Sequence, residues 1–230
     1  MHLTRKLEKL TTGEAFASGV DRYYRFRYPL KVSDLLSGID PVRLEAICAK
    51  YRVPGEEKAW PKYTNVEHWL QRAVDHLRSL RLDRKPLLRI LDIGSGAGYF
   101  LYVLKQIGHS GFGLDLAEPE FYGEMFDLLG LDRVVFRIEP YQPLPEIGRQ
   151  FDLITAFAIC FNGHGTEKVW GQAEWGYFLD DVFARYLARG GRIVLSLNPE
   201  LHGHYTPELR DFFIGRGARV EPRRIWLQKG

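Results

Sequence analysis

After Pro86 the chain alternates short apolar runs with segments that carry an apolar face at helical spacing. The apolar runs predict strands at 87–94, 111–116, 133–139, 151–159 and 191–198 and a closing pair within 218–228. The helical segments between them are 99–108, 119–130 and 175–191, while the proline-rich stretch 140–150 is predicted to be a loop. Alternating strands and helices predict a doubly wound α/β sheet of mostly parallel strands. Ligands of such sheets bind at the carboxyl ends of the strands.

The residues before Pro86 have a helical pattern instead. Residues 40–51 begin with Asp40 at a cap position and with proline in the first turn. Behind a cap at Asn65, a second helix carries an apolar stripe at i, i+3, i+4 spacing, formed by Val66, Trp69, Leu70, Ala73, Val74, Leu77 and Leu80. We therefore predict an N-terminal helical extension over 1–86 and a core domain over 87–230.

Charge is distributed unevenly along the chain. Residues 1–89 hold 18 Lys and Arg against 11 Asp and Glu, while the whole chain has a formal charge of only +3. A basic first part admits an anionic partner such as RNA or a phosphorylated metabolite, but a solvated basic surface is the favoured interpretation. The longest apolar run, 151–161, is shorter than the roughly 20 residues that cross a bilayer. We expect a cytoplasmic protein that does not bind membranes, and the sequence does not indicate its oligomeric state.

A glycine-rich loop follows the first predicted strand. In LDIGSGAGYF, Gly94, Gly96 and Gly98 stand at every second position before a predicted helix. Glycines there allow a tight turn and a close approach of the backbone to a ligand, with free amides at the helix start. A dinucleotide fingerprint would need its third glycine at Tyr99, which excludes that motif. Carboxylates bracket the loop at Asp92 and at Asp115, and the second lies where a carboxylate can accept hydrogen bonds from ribose hydroxyls.

These motifs resemble those of the class I S-adenosylmethionine-dependent methyltransferases. The acidic residue and glycine loop of that family match Asp92 to Gly98, and its ribose-binding acidic residue matches Asp115. FDLITA resembles the fourth strand of the family, and YLARGGRIVLSLN resembles the helix, glycine turn and fifth strand that follow. The resemblance covers 87–230 and implies a seven-stranded Rossmann-like sheet whose last strand is antiparallel. It also implies S-adenosylmethionine as cofactor and S-adenosylhomocysteine as product.

The resemblance further implies roles for individual residues. In this interpretation the loop residues Gly94, Ser95, Gly96 and Gly98 and the ribose ligand Asp115 hold the cofactor, and Asp92 suits its ammonium group. Glu139 lies near the position that receives the adenine amino group, and Leu116 and Phe157 would flank the adenine. In the N-terminal extension, Trp60 and Tyr63 are expected to belong to a lid over the pocket, with Tyr63 contacting the cofactor, whereas Trp69 is expected to pack in the core.

The turn after the fourth predicted strand is where the family places the acceptor. Asn162 and His164 in CFNGHG would face it, with His164 as a general base for a hydroxyl or ammonium acceptor. The alternative is that Asn162 and Gly163 only form a tight turn and that His164 is solvated. The Asn/Asp-Pro-Pro-aromatic motif of methyltransferases that modify planar nitrogens is not present here. His202 and His204 follow the fifth strand and could lie near His164. The carboxylates with which the magnesium-dependent members of the family hold their metal are absent, so we predict no metal site.

The predicted function is transfer of a methyl group to a small-molecule O or N acceptor by in-line displacement. Three alternatives stay open. The basic first part admits an RNA or protein methyltransferase, and a non-catalytic cofactor-binding regulatory protein would need the same loop. An aminopropyl transferase shares the fold, but Asn162 and His164 stand where its paired acidic residues would be.

Overall fold

Seven strands form one sheet in the part of the chain that the computed structural model describes, which comprises Tyr23 and residues 30–52, 60–159, 161, 169–199 and 203–230. The strand order is β3-β2-β1-β4-β5-β7-β6. Strands β1 to β5 are parallel, and β7 runs antiparallel between β5 and β6. The predicted sheet with an antiparallel last strand is therefore confirmed. The strands are β1 (Arg89–Ile93), β2 (Ser110–Asp115), β3 (Arg133–Val135), β4 (Phe151–Ile159), β5 (Leu187–Leu197), β6 (Arg219–Glu221) and β7 (Arg224–Gln228).

Helices cover both faces of this sheet. One turn of π-helix, Val182–Tyr186, extends α6, and short 3₁₀ helices lie at Trp60–Thr64 and Leu82–Arg84. The α-helices are α1 (Val32–Ser37), α2 (Pro41–Tyr51), α3 (Val66–Ser79), α4 (Tyr99–Gln106), α5 (Glu120–Leu129), α6 (Gln172–Asp181) and α7 (Pro207–Gly215).

The N-terminal helices begin at the predicted caps. The side chain of Asp40 accepts hydrogen bonds from the backbone amides of Val42 and Arg43 at the start of α2, and that of Asn65 accepts one from His68 at the start of α3. The apolar stripe of α3 is buried against α4, with Leu70 and Leu77 fully buried. Burial of such a leucine contributes roughly 1.5–3 kcal/mol. Helix α3 is thereby fixed beside the start of α4, where the glycine loop ends.

The sheet separates two hydrophobic clusters. Alternate residues of a strand point to opposite faces, so Ile90 belongs to one cluster and Leu91 and Ile93 to the other. The first cluster is formed with α1 to α5 and the second with α6 and α7. Apolar side chains of the N-terminal helices thus share one cluster with those of α4 and α5.

Two boundaries differ from the sequence predictions. Strand β3 ends at Val135 instead of 139, because the chain then leaves the edge of the sheet and buries Ile138. Strand β5 begins at Leu187, in a stretch predicted to be helical. Leu187 pairs with Phe151 of β4 and is fully buried, so the glycine turn at 190–191 lies within an irregular strand. The loop predicted at 140–150 is confirmed.

No helix in the described ranges is long and apolar enough to cross a membrane.

Candidate functional site

A cavity of about 690 Å³ opens at the carboxyl ends of β1, β2 and β4. The sheet and the loops that follow its strands form one wall, which we call the sheet wall. The 3₁₀ helix at Trp60–Thr64 and one face of α3 form the opposite wall, which we call the helix wall. The sheet wall includes Asp92, Gly94, Ser95, Gly96, Asp115, Leu116, Ile138, Phe157, Ala158 and Asn198, and the helix wall includes Lys62, Tyr63, Trp69, Arg72, Ala73 and His76.

The three loop glycines all have positive φ, between +55° and +77°. A side chain is strained in this conformation, so the turn itself favours glycine. A Cβ at Gly98 would lie 2.9 Å from side-chain atoms of Leu131 and Phe126, whereas a Cβ at Gly96 would meet no protein atom within 4 Å. Gly98 is therefore needed for packing between α4 and α5, while Gly96 keeps the backbone bare where it lines the cavity.

Asp115 ties the end of β2 to the glycine loop. One carboxylate oxygen accepts the Gly96 amide at 2.5 Å, and the other accepts the Leu116 amide at 2.7 Å. Register places the two strand ends side by side, since Ile93 pairs with Leu114. Burial raises the pKa of Asp115, although both amide hydrogen bonds oppose that shift. The carboxylate and the loop backbone thus form one continuous surface inside the cavity.

Asp92 lies at the end of β1 and is only 4% exposed. Its carboxylate accepts a hydrogen bond of 2.6 Å from the hydroxyl of Thr155 on β4. Burial raises the pKa of Asp92 to about 7, the Thr155 hydrogen bond lowers it, and the charge of Asp115 raises it. A cation that reached this carboxylate would stabilise its charged form.

The other residues predicted to bind the cofactor divide into two groups. Leu116, Phe157 and Tyr63 line the cavity. Ser95 lines it as well, but its hydroxyl is buried and has no hydrogen-bond partner among the described residues, so its backbone is the part that a ligand can reach. Glu139 is exposed and does not line the cavity, where Phe136, Arg137 and Ile138 lie instead.

Asn162 and His164 lie outside the described residues, as do Cys160 and His202. The end of β4 beside them is irregular. Ala158 has a φ of +52° at a register shift between β4 and β5, and its carbonyl accepts a hydrogen bond of 2.8 Å from the side-chain amide of Asn198. Such irregularities redirect side chains near functional sites. Here Phe157 lines the cavity beside the irregular residue.

Imidazoles do not form a metal site in the described part of the chain. His204 is hydrogen-bonded through Nδ1 to the carbonyl oxygen of Leu197, at 2.9 Å. No group of three or more His, Cys, Asp or Glu side chains among the described residues could hold a metal ion.

Most residues of the helix wall were not predicted from the sequence to line the site. His76 stacks on Phe157, with ring centroids 4.3 Å apart and an interplanar angle of 26°. Burial and, to a smaller extent, the charges of Arg224 and Arg72 together lower the pKa of His76 to about 4. Trp69 is half-buried, as expected of a packing residue, but it also faces the cavity and packs against Tyr63 at 4.5 Å. The missed residues on α3 are Arg72 and His76, which lie beside Trp69 and Ala73 of the predicted apolar stripe.

No protein-family model and no curated protein matches the chain. Two solved structures are similar to it over most of their length. DesVI from Streptomyces venezuelae has 14% identity and a TM-score of 0.50, covering 83% of this chain and 98% of its own. Magnesium protoporphyrin IX methyltransferase (ChlM) from Synechocystis PCC 6803, solved with bound SAM, has 17% identity and a TM-score of 0.50, covering 80% of this chain and 90% of its own.

CalS10, an amino pentose methyltransferase from Micromonospora echinaspora, is 24% identical, with a TM-score of 0.42 over 61% of this chain. The chain spans only about half the length of CalS10, since the match covers 53% of it. At these identities the similarity concerns the fold, and activity, substrate and partners are matters of proposal. The seven-stranded sheet with its antiparallel C-terminal strands has the Rossmann-like fold of the S-adenosylmethionine-dependent methyltransferases.

Proposed function

We propose that the chain is an S-adenosylmethionine-dependent methyltransferase that modifies an oxygen or nitrogen atom of a small molecule. The observation that carries this proposal is the hydrogen bond from the Gly96 amide to Asp115, which joins the glycine loop and the acidic residue in one wall of the cavity. The cavity volume of about 690 Å³ also lies within the range of roughly 300–1,000 Å³ of small-ligand pockets.

The residues of the cavity suit the groups of this cofactor. Asp115 would accept hydrogen bonds from the ribose hydroxyls, and the bare backbone at Gly96 would allow close approach. Asp92 would face the ammonium group, and Leu116, Phe157 and Tyr63 offer apolar surface to the adenine and ribose. We assign no contact to Glu139, because its side chain lies outside the cavity.

When bound, the cofactor supplies a methyl group that its sulfonium makes electrophilic. The protein has to hold the acceptor in line with that carbon and to exclude water. The aromatic side chains of Phe100, Phe157 and Phe161 line the cavity and serve the second task. Asn162 and His164, which follow β4 in the chain, are proposed to face the acceptor, with His164 accepting a proton from it.

The helical extension over 1–86 is proposed to act as a cover for the core over 87–230. Its described part supports this arrangement, because the cavity lies between the sheet wall and side chains of α3. A cavity of this volume favours a small acceptor over RNA or a folded protein. Activity on RNA, a regulatory role without catalysis and a cytoplasmic location remain predictions from the sequence.

The experiment is a thermal unfolding titration with S-adenosylhomocysteine. At a concentration one hundred times the Kd, a ligand stabilises the folded state by about 2.7 kcal/mol, which raises the Tm of a protein of this size by about 5–10 °C. We expect this shift for the wild type and its loss in Asp115→Ala. Asp132→Ala removes an exposed carboxylate near the same strand ends and should keep the shift. A wild type that S-adenosylhomocysteine does not stabilise, or an Asp115→Ala protein with the full shift, would refute the proposal.

A further inference from the structure

The two walls of the cavity differ in their charged side chains. The carboxylates that line it, Asp92, Asp115 and Glu118, all come from the sheet wall and the loop after β2. The helix wall contributes Lys62 and Arg72 and no carboxylate. Arg137, from the loop after β3, also lines the cavity, so the sheet wall carries charges of both signs and the helix wall carries only positive ones.

Lys62 and Arg72 both lie near the ring of Trp69. The Lys62 Nζ lies 5.7 Å from the ring centroid of Trp69, and the guanidinium carbon of Arg72 lies 5.2 Å from it. The indole N–H of Trp69 donates a hydrogen bond of 2.9 Å to the backbone carbonyl of Lys62, which fixes the ring. Both cations are thus positioned through a residue that itself lines the cavity.

Neither cation has an ionic partner in the described part of the chain. The ion pairs found there all involve other basic residues. An anion bound at this wall would be attracted by both positive charges. His76, one turn beyond Arg72, adds no charge near neutral pH, because burial lowers its pKa to about 4. The helix wall is therefore a positive surface with unused hydrogen-bond donors.

We propose that Lys62 and Arg72 form a carboxylate-binding site on the helix wall of the cavity. Arginine binds carboxylates through two parallel N–H groups, and a neighbouring ammonium adds a third donor. Two ligands could present this group: the amino-acid end of the cofactor, or an acidic acceptor bound beside it. The identification of these two ligands rests on the proposed function. The preference of the helix wall for a carboxylate does not depend on it.

The first arm of the test concerns the cofactor as the source. S-adenosylhomocysteine carries the amino-acid carboxylate, and 5′-methylthioadenosine shares the nucleoside and thioether but lacks it. Calorimetric titrations of both into wild type, Arg72→Met and Lys62→Met give the ratio of their affinities. If the cofactor is the source, Arg72→Met lowers the affinity for S-adenosylhomocysteine by about tenfold to a hundredfold and leaves that for 5′-methylthioadenosine unchanged.

The second arm concerns the acceptor, with benzoate and its neutral isostere benzamide as probes. They are titrated into the protein both alone and saturated with S-adenosylhomocysteine. If an acidic acceptor is the source, benzoate binds the saturated protein at least about tenfold more tightly than benzamide, and Arg72→Met removes the difference. Because the side chain of Arg72 is exposed, this variant should fold normally, which its Tm checks.

Arg43→Met is the matched control, since it removes one exposed positive charge from α2 without touching the cavity. It should leave every affinity ratio unchanged. The proposal is overturned if Arg72→Met and Lys62→Met change neither ratio, or if Arg43→Met changes them equally. A wild type that binds neither nucleoside refutes the proposed function instead, and the benzoate arm on the protein alone still decides whether the wall binds carboxylates.

Discussion

The sheet wall and the helix wall of the cavity differ in what positions their side chains. In the sheet wall, the pairing of Ile93 with Leu114 places Asp115 beside the glycine loop, so that backbone hydrogen bonds determine the geometry. In the helix wall, Trp69, Arg72 and His76 face the cavity only because the opposite side of α3 is buried against α4. The first wall depends on strand register, and the second depends on how one helix docks.

Each wall also contains one buried titratable group, and burial shifts the pKa values of these two groups in opposite directions. Burial raises the pKa of Asp92 to about 7 and lowers that of His76 to about 4, so that desolvation favours the neutral form of each. The free energy of unfolding should respond to pH with opposite signs at the two groups. Over the range from pH 4 to 6.5 the two effects partly cancel in the wild type, and single variants should separate them.

The largest effect is expected for Asp92→Asn. The pKa of Asp92 in the folded protein, about 7, exceeds the ordinary value of 3.8. Its contribution to stability is therefore fully present below pH 4 and is lost as the pH rises to 7. The loss amounts to about 4 kcal/mol at most. Asn stays neutral and can still accept the Thr155 hydrogen bond, so the variant should exceed the wild type in stability at pH 8 and match it near pH 4.

Urea unfolding of the ligand-free protein between pH 4 and 8 measures this difference. Asp132→Asn, which changes an exposed carboxylate, should follow the wild-type curve. An Asp92→Asn protein that is less stable than the wild type at pH 8 would mean that the carboxylate has a stabilising partner when charged. In that case, burial of the charged Asp92 carboxylate would not destabilise the folded protein.

A smaller effect of opposite sign is expected for His76→Phe. The pKa of His76 in the folded protein, about 4, lies below the ordinary value of 6.5. The contribution of His76 to stability should therefore fall as the pH falls from 6.5 to 4, by about 3 kcal/mol at most, because at this site only the unfolded chain then binds a proton readily. Phe keeps an aromatic ring against Phe157 without titrating. The variant should match the wild type at pH 8 and exceed it near pH 4.

The same urea series tests this prediction, and the double variant Asp92→Asn/His76→Phe provides the control. It should lack both slopes. If His76→Phe is destabilised by the same amount at every pH, the ring nitrogens of His76 form an interaction that Phe cannot replace. The position of the helix wall would then depend on that interaction as well as on packing.

Much of the fold could be predicted because its signals are local. The apolar stripe of α3, the caps at Asp40 and Asn65 and the strand 151–159 each depend on spacing within one segment. Strand β3 was predicted too long and the start of β5 was predicted as helix, because sheet edges and irregular strands depend on partners that are distant in sequence. Leu187 is a strand residue through its pairing with Phe151, and no neighbour in sequence reveals that.

The residues of the site also differ in whether the sequence could predict them. The glycine loop and Asp115 could be found because register is a property of the parallel sheet, and the structure brings them into one surface. Arg72 and His76 could not be found, because a polar stripe on an amphipathic helix is most often solvated. Which part of that stripe faces a cavity depends on the rotation of the docked helix, and a single sequence does not show it. The family resemblance placed Glu139 near the adenine, but the chain buries Ile138 there and exposes its neighbour Glu139.

The last prediction concerns the different roles of two glycines in the loop, Gly98 in packing and Gly96 in leaving space for a ligand. A Cβ at Gly96 would meet no protein atom within 4 Å, yet Gly96 lines the cavity, so Gly96→Ala should block a ligand rather than disturb packing. We expect the affinity for S-adenosylhomocysteine to fall by about 2 kcal/mol, since a single added methyl group in a tight site costs about 1–3 kcal/mol. The left-handed conformation should lower stability by about 1 kcal/mol. Gly217→Ala has the same open surroundings and a positive φ of +80° but lies away from the cavity. It should therefore lose similar stability and keep its affinity in calorimetry. Equal affinity losses in both variants would mean that Gly96 acts through the conformation of the loop and not through the space it leaves for a ligand.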